Sequence, residues 1–168
     1  MKSRLLRRIL NRILHLMARF LPGATGLRPF LHRLRGVKIH GKIFIGDDVY
    51  LENEYPECVE IHDGAIVNLR CTIIAHTGGQ GKIIIEKNAV VGAGCTIVSS
   101  SGRSLTIGEG SVISTGSVVQ TNIPPRTLCA GPRIKAVATV TVPFSQQTSY
   151  QDFVRGLRPL RAPAKKTE

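Results

Sequence analysis

The chain has 168 residues, of which 42% are hydrophobic, 20% are charged and 5% are aromatic. A chain of this length forms one domain with at most an appendage, so two large independent domains are excluded. Its apolar content is too high for a disordered protein, and no apolar run reaches the ~18 residues that a membrane-spanning helix needs.

The net charge of +12 is concentrated at the N-terminus. Residues 1–42 contain eleven Lys and Arg and no acid, residues 43–143 contain seven bases and nine acids, and residues 144–168 contain five bases and two acids. The charge therefore belongs to a basic arm on a nearly neutral body. We expect no nucleic-acid partner for such a body.

The cysteines are not spaced like metal ligands. They are Cys58, Cys71, Cys95 and Cys129. Because there is no CxxC pair and no Cys/His cluster, we expect free thiols in a reducing cytoplasm. Arg12, His15 and Arg19 interrupt the apolar runs of the arm, which does not match a secretory signal.

The arm, residues 1–36, is predicted to contain an amphipathic helix that Pro22 and Gly23 end. One half of its helical wheel is apolar and consists of Leu5, Leu6, Ile9, Leu10, Ile13, Leu14, Leu16, Met17, Phe20 and Leu21. The other half consists of Arg4, Arg7, Arg8, Asn11, Arg12, His15 and Arg19. A second basic and apolar stretch, from Leu27 to Arg35, extends the same surface.

This division is typical of a helix in the headgroup region of an anionic membrane, with its arginines at the lipid phosphates. We therefore predict a cytoplasmic protein that is peripheral at the inner face of the cell membrane. Two other interpretations stay open. The apolar half could cover one end of the body or a neighbouring subunit, with the arginines in solvent, or the arm could be a mitochondrial presequence.

Large aliphatic residues recur with a period of six from Ile39 onward. They are Ile39, Ile45, Leu51, Ile61, Val67, Ile73, Ile85, Val91, Ile97, Ile107, Ile113 and Val119. Smaller residues follow most of them by four positions, and Gly or polar residues fill the corners between. No helix has this period and a plain strand has a period of two, so three short strands and three corners make one triangular coil.

The repeat, over about residues 37–137, resembles the hexapeptide-repeat acyltransferases and especially the polysaccharide and sugar O-acetyltransferases. The resemblance implies an all-β fold, a left-handed parallel β-helix, with the helical arm before it and an extension and tail over residues 138–168. It also implies acetyl-CoA as co-substrate, a homotrimer with CoA between subunits, and no metal.

The register has two breaks, each a four-residue insertion, at 51–61 and 97–107. Between Ile73 and Ile85 the period of six is predicted to continue, with Gly79 at the inward position. When successive repeats are assigned in turn to the three faces of the coil, Leu51, Ile73, Val91 and Ile113 stack in one column. The corner residues three positions later are Glu54, His76, Gly94 and Gly116, so a single His occupies a corner given largely to glycine.

In the acyltransferases that this chain resembles, a His just upstream of a coil like VVGAGCTIV, here residues 90–98, is the catalytic base. His76 matches it. A neutral imidazole takes the proton of a sugar hydroxyl as it attacks the thioester and then returns it to the leaving thiolate. Alternatively, His76 is only a corner residue that tolerates a left-handed backbone.

The same register supplies partners for His76. Glu54 is expected to accept the second ring N–H, a role that a backbone carbonyl could also fill. Backbone N–H groups near Gly92 to Gly94 are expected to meet the oxyanion.

CoA contacts are implied by the resemblance. Gly92, Gly94 and Gly116 leave room for the pantetheine arm, and the cations available for its phosphates are Arg126, Arg133 and Lys135, which could equally be solvated surface charges. The segment 118–127 is similar to the closing VVTKDIPPNT of the family, without its lysine. The segment 130–135 departs from AGNPAK in the order of its middle residues, so the CoA contacts are not fixed by it.

A saccharide acceptor, possibly lipid-linked and belonging to envelope or exopolysaccharide biosynthesis, suits an enzyme held at a bilayer. The polar loop Ser99 to Ser104 could bind sugar hydroxyls or serve as a linker. Two alternatives compete with acyl transfer. A zinc carbonic anhydrase is disfavoured because His40 and His62 fall on a different face from His76. A non-enzymatic, membrane-tethered scaffold is the other.

Overall fold

A computed structural model describes residues 2–131, 138–142 and 149–159. The chain forms two compact units, Met1–Gly131 and Pro132–Glu168. The predicted arm and the predicted coils therefore belong to one unit.

The first unit begins with two helices, α1 (Lys2–Phe20) and α2 (Leu27–Arg35). Gly36 ends α2 in the left-handed conformation, with its N–H donating to the carbonyl of Arg33, as is common at helix C-termini. The predicted N-terminal helix is confirmed. Within the described residues, no helix is long and apolar enough to cross a membrane.

Thirteen short strands follow the helices. They are β1 (Lys38–Ile39), β2 (Phe44–Ile45), β3 (Tyr50–Leu51), β4 (Val59–Ile61), β5 (Ile66–Val67), β6 (Thr72–Thr77), β7 (Lys82–Ile85), β8 (Val90–Val91), β9 (Thr96–Ser100), β10 (Ser104–Ile107), β11 (Val112–Ile113), β12 (Val118–Val119) and β13 (Leu128–Cys129). They pair in parallel as three sheets, in the orders β1-β4-β7-β10, β13-β11-β8-β5-β2 and β12-β9-β6-β3. This is the predicted parallel β-helix, a solenoid of about four turns.

The core is built from the aliphatic residues that the period of six places inward. On the five-stranded sheet, for example, Ile45, Val67, Val91 and Ile113 pair in register and are buried. Small buried residues complete each layer, and all four cysteines are free thiols, as predicted. Burial raises the pKa of Cys71 to about 11, so this thiol acts as a small apolar residue.

The predicted register is wrong beyond His76. Leu51 stacks on Ile73, but Ile73 stacks on Ile97 rather than on Val91. The reason is that 73–85 is not two repeats: β6 runs on to Thr77, and Gly79 lies exposed in a turn before β7.

All three breaks of the repeat therefore fall at the same corner. They lie between β3 and β4, between β6 and β7, and between β9 and β10. Because neighbouring coils stack about 4.8 Å apart, insertions at equivalent places build one continuous elaborated edge. This edge carries His76.

The second unit contains an antiparallel pair, β14 (Ala138–Val140) and β15 (Leu157–Pro159), and a short helix, α3 (Tyr150–Arg155). Ser149 begins α3, and its side-chain oxygen accepts from the N–H of Asp152 at 3.1 Å, which is a standard N-cap.

Candidate active site

His76 lies near the end of β6, where its side chain is 34% exposed. Its Nδ1 is 2.6 Å from Oε2 of Glu52, a carboxylate that is completely buried. Since the carboxylate is an acceptor, Nδ1 is the nitrogen that donates, and in the neutral ring this tautomer leaves the lone pair on Nε2. A partly exposed imidazole is thus held by a buried anion.

The Glu52 carboxylate is saturated with donors. Oε1 accepts from the N–H groups of Glu54, at 2.9 Å, and Tyr55, at 3.2 Å, while Oε2 also accepts from the N–H of Ala75, at 2.7 Å. Burial alone would raise the pKa of Glu52, but the hydrogen bonds from His76 and these backbone groups outweigh it and lower the pKa. Glu52 is therefore ionised at neutral pH.

The predicted contact between Glu54 and His76 is wrong. Glu54 lies outside the solenoid and pairs with Arg12 at 3.2 Å, an exposed ion pair. Glu52 takes the role because it directly follows the inward Leu51, and the inserted corner after it turns its N–H groups onto the carboxylate. The signal in the sequence is an acid next to an inward aliphatic, one coil before the histidine.

Arg35 of α2 holds the other side of Glu52. It is buried, and its Nη2 donates to the backbone carbonyls of Glu52, at 2.7 Å, and Leu51, at 3.3 Å. Its Nε donates to Asn11 of α1 at 2.8 Å. Burial lowers the pKa of Arg35 to about 10, so the guanidinium stays charged and braces the segment that carries Glu52.

The predicted glycine column beside His76 is also wrong, because the register shifts by one face. In the next coil the edge beside His76 is formed by Ser100, which pairs with Thr77. Gly94 and Gly116 lie at another corner, at φ of 65° and 71°. A Cβ added to either would meet nothing within 4 Å, so their backbone conformation accounts for glycine there.

The predicted oxyanion donors are already used within the solenoid. The N–H of Gly92 donates to the carbonyl of Ile113 at 2.8 Å, and that of Gly94 donates to Leu69 at 2.9 Å. A Cβ at Gly92 would come within 2.6 Å of the Ile113 oxygen. Gly92 and Gly94 therefore serve the packing of coils.

The inserted corners after β6 and β9 are hydrogen-bonded to each other. The N–H of Lys82 donates to Arg103, and the N–H of Gly102 donates to Gln80, both at 2.8 Å. Ser99 is buried and its hydroxyl donates to the carbonyl of Arg103 at 3.0 Å. Ser99 thus supports the loop, and only the exposed residues 101–104 remain available to a ligand.

A cavity of about 370 Å³ lies between α1, α2 and the inserted corner after β3. Its lining residues are Arg7, Arg8, Leu10, Asn11, Leu14, Leu34, Arg35, Gly36, Glu54, Tyr55, Pro56 and Glu57. The ring of Tyr55 is 6.1 Å from the ring of His76, edge to face. Tyr55 therefore links this cavity to the His76–Glu52 pair.

The comparisons with known proteins agree with the resemblance that the repeat indicates. No protein-family model matches the chain. The chain is 26% identical over 117 residues to the "Putative acetyltransferase YvoF" of Bacillus subtilis (strain 168). The aligned region covers 67% of this chain and 63% of that protein. This relative and the parallel β-helix are consistent with the predicted resemblance to hexapeptide-repeat acyltransferases.

The chain thus spans less than two thirds of the relative's length. Among solved structures, it is similar to serine acetyltransferase isoform 3 of Entamoeba histolytica, crystallised in complex with cysteine, at 16% identity and a TM-score of 0.27 over 88% of this chain and 51% of that one.

Of the cations predicted to meet CoA, only Arg126 lies in the part of the chain that the structure describes. It is exposed at a corner with φ of 54°, and its N–H donates to the carbonyl of Glu109. Arg133 and Lys135 lie outside the described residues.

Within the described ranges, one group of side chains has the composition of a metal site: His40, Glu60 and His62. Both Nε2 atoms approach Oε1 of Glu60, at 3.2 and 3.4 Å. The ammonium of Lys82, 2.8 Å from the other oxygen, lowers the pKa of Glu60. Because Lys82 already neutralises the carboxylate, we assign the group to a surface network of hydrogen bonds and ion pairs.

Proposed function

We propose that the chain transfers an acetyl group from acetyl-CoA to a hydroxyl of a saccharide. The observation that carries this proposal is the 2.6 Å hydrogen bond between Nδ1 of His76 and the buried, ionised Glu52. A non-enzymatic scaffold does not account for a buried anion that fixes the tautomer of a partly exposed imidazole.

In the proposed reaction, Nε2 of His76 takes the hydroxyl proton while the hydroxyl oxygen attacks the thioester carbonyl. The tetrahedral intermediate collapses, the C–S bond breaks, and the imidazolium returns the proton to the CoA thiolate. Glu52 keeps its charge throughout and stabilises the imidazolium. General base catalysis of this kind contributes typically ~10²- to 10⁴-fold.

The cavity beside Tyr55 supports a saccharide carried on a lipid as the acceptor. The carboxylate of Glu57 suits sugar hydroxyls, and the ring of Tyr55 suits the face of a sugar. Leu10, Leu14 and Leu34 line the same cavity and suit a lipid chain.

A homotrimer with CoA between subunits is part of the proposal. The outward positions of the five-stranded sheet form an apolar column: Phe44, Ile66, Val90, Val112 and Leu128. Leu128 is 74% exposed. A continuous apolar stripe on one face of a solenoid favours burial against another copy.

The test follows free thiol released from acetyl-CoA with a panel of saccharide acceptors and identifies acetylated products by mass spectrometry. His76→Ala should lower the rate at least about a hundredfold. The matched control is His62→Ala, a partly buried histidine in the Glu60 network, which should retain wild-type activity. Equal rates for wild type and His76→Ala would remove His76 as the base.

A further inference from the structure

The two helices of the arm meet the solenoid through their polar sides. Over residues 7–20 of α1, the buried or half-buried residues are Asn11, Leu14, His15, Ala18 and Arg19, which recur at helical spacing. Arg19 forms an ion pair with Asp48, and Asn11 donates to the backbone carbonyl of Asn53. The expectation that the arginines meet only solvent or lipid is therefore wrong for Arg19.

α2 is attached in the same way. Arg28 is buried, forms an ion pair with Asp47, and donates to the carbonyls of Leu21, at 2.7 Å, and Ile45, at 3.1 Å. The backbone also joins the two parts, since the N–H of Ile45 donates to the carbonyl of Ala24 at 2.9 Å.

Apart from buried residues such as Leu31, most of the large apolar side chains of the two helices are exposed. We call these exposed residues the arm face: Ile9, Leu10, Ile13, Leu16, Met17, Phe20, Leu27, Phe30 and Leu34. Phe20, Phe30 and Leu34 are 66%, 52% and 57% exposed. The alternative in which the apolar half covers the end of the body is therefore wrong.

We propose that the arm face inserts into the interfacial region of a bilayer that contains anionic phospholipids. Its charge favours this occupant: Arg7 and Arg8 are exposed on the same helix as the apolar half, and no acid occurs in residues 1–42. Arginines beside an apolar helical face match the layering of lipid phosphates over acyl chains. Two copies of this face would repel each other through the same charges.

Binding to a membrane is independent of the proposed transferase activity and is tested without substrate. The full chain should float with vesicles of phosphatidylcholine and phosphatidylglycerol, and less at high salt. Phe20→Asn combined with Ile13→Asn should weaken binding at least about tenfold. Val118→Asn, an equally exposed apolar position on β12, is the control and should bind like wild type.

A second set of variants tests the contribution of the arginine charges to vesicle binding. Arg7→Gln with Arg8→Gln should weaken binding about tenfold to thirtyfold. Lys42→Gln with Lys87→Gln removes the same charge from exposed positions on the solenoid and should change binding less than about threefold.

Insertion can be observed directly because the chain contains no tryptophan. The emission of Phe20→Trp should shift to shorter wavelength with anionic vesicles, while that of Phe44→Trp on β2 should not. Failure to bind vesicles, or wild-type binding by the Ile13/Phe20 variant, would overturn the proposal. The proposal would also be overturned if the Ile13/Phe20 variant changed its number of subunits and still bound vesicles. That result would show that the arm face packs against a second copy of the chain.

Discussion

Replacing Glu52 by Gln removes the charge that faces His76 and leaves the size of the side chain nearly unchanged. The amide offers one acceptor oxygen where the carboxylate accepts from His76 and three backbone N–H groups. A hydrogen bond to a charged group contributes about 1.5–3 kcal/mol. If this energy no longer stabilises the positive charge that forms on the imidazole in the transition state, the rate falls about 10- to 150-fold.

The matched control is Glu54→Gln, two residues away. The side chain of Glu54 forms an exposed ion pair with Arg12, and pairs of this kind contribute about 0–1 kcal/mol. We therefore expect the Glu54 variant to retain activity within about threefold of wild type. Thiol release from acetyl-CoA with the same acceptor measures both variants.

Loss of fold must be separated from loss of chemistry. An amide among the backbone donors leaves a buried group unsatisfied, which costs about 1–3 kcal/mol and lowers the melting temperature by about 2–12 °C. Activity is compared well below the melting temperature of the variant. Wild-type activity in Glu52→Gln, or an equal loss in Glu54→Gln, would refute the assignment of Glu52.

Two predictions concern stability. Burial, and next the positive charge of Arg35, lowers the pKa of His15 to about 3, so between pH ~6.5 and ~3 the unfolded chain binds more protons than the folded one and stability falls as the pH falls. From pH 7 to pH 5 we expect a loss of about 2 kcal/mol from this residue, measured by urea unfolding, and a smaller pH dependence in His15→Leu; an unchanged dependence in His15→Leu would contradict this origin. Arg28→Met should destabilise the chain by about 2–3 kcal/mol, because it removes the ion pair with Asp47 and two hydrogen bonds to carbonyls. The exposed Arg103→Met is its control, and an equally small effect of both substitutions would count against attachment of α2 through Arg28.

The core could be predicted because inward positions follow from the repeat alone. Ile45, Ile61 and Ile97 are buried as their spacing indicates, since each corner resets the alternation of the next short strand. His76 could be singled out by the resemblance, as a His just upstream of the coil at residues 90–98, but it lies near the end of β6 rather than at a corner of glycines.

The register past His76 could not be predicted in this way. A step of twelve residues from Ile73 to Ile85 agrees with two repeats and also with one repeat plus six inserted residues. Only the pairing of β6 with β9 decides between them, and with it which corner Gly94 and Gly116 occupy.

By itself, then, the sequence determines the period of the solenoid, the inward aliphatic residues of the core and the two halves of the α1 wheel. These depend on residues within a turn or two of one another. The tertiary structure alone decides that Glu52 rather than Glu54 meets His76, and that the polar half of α1 faces the solenoid. Both depend on groups far apart in the chain, 24 residues for Glu52 and His76 and 29 for Arg19 and Asp48, whose distance is set by how the coils and the helices pack.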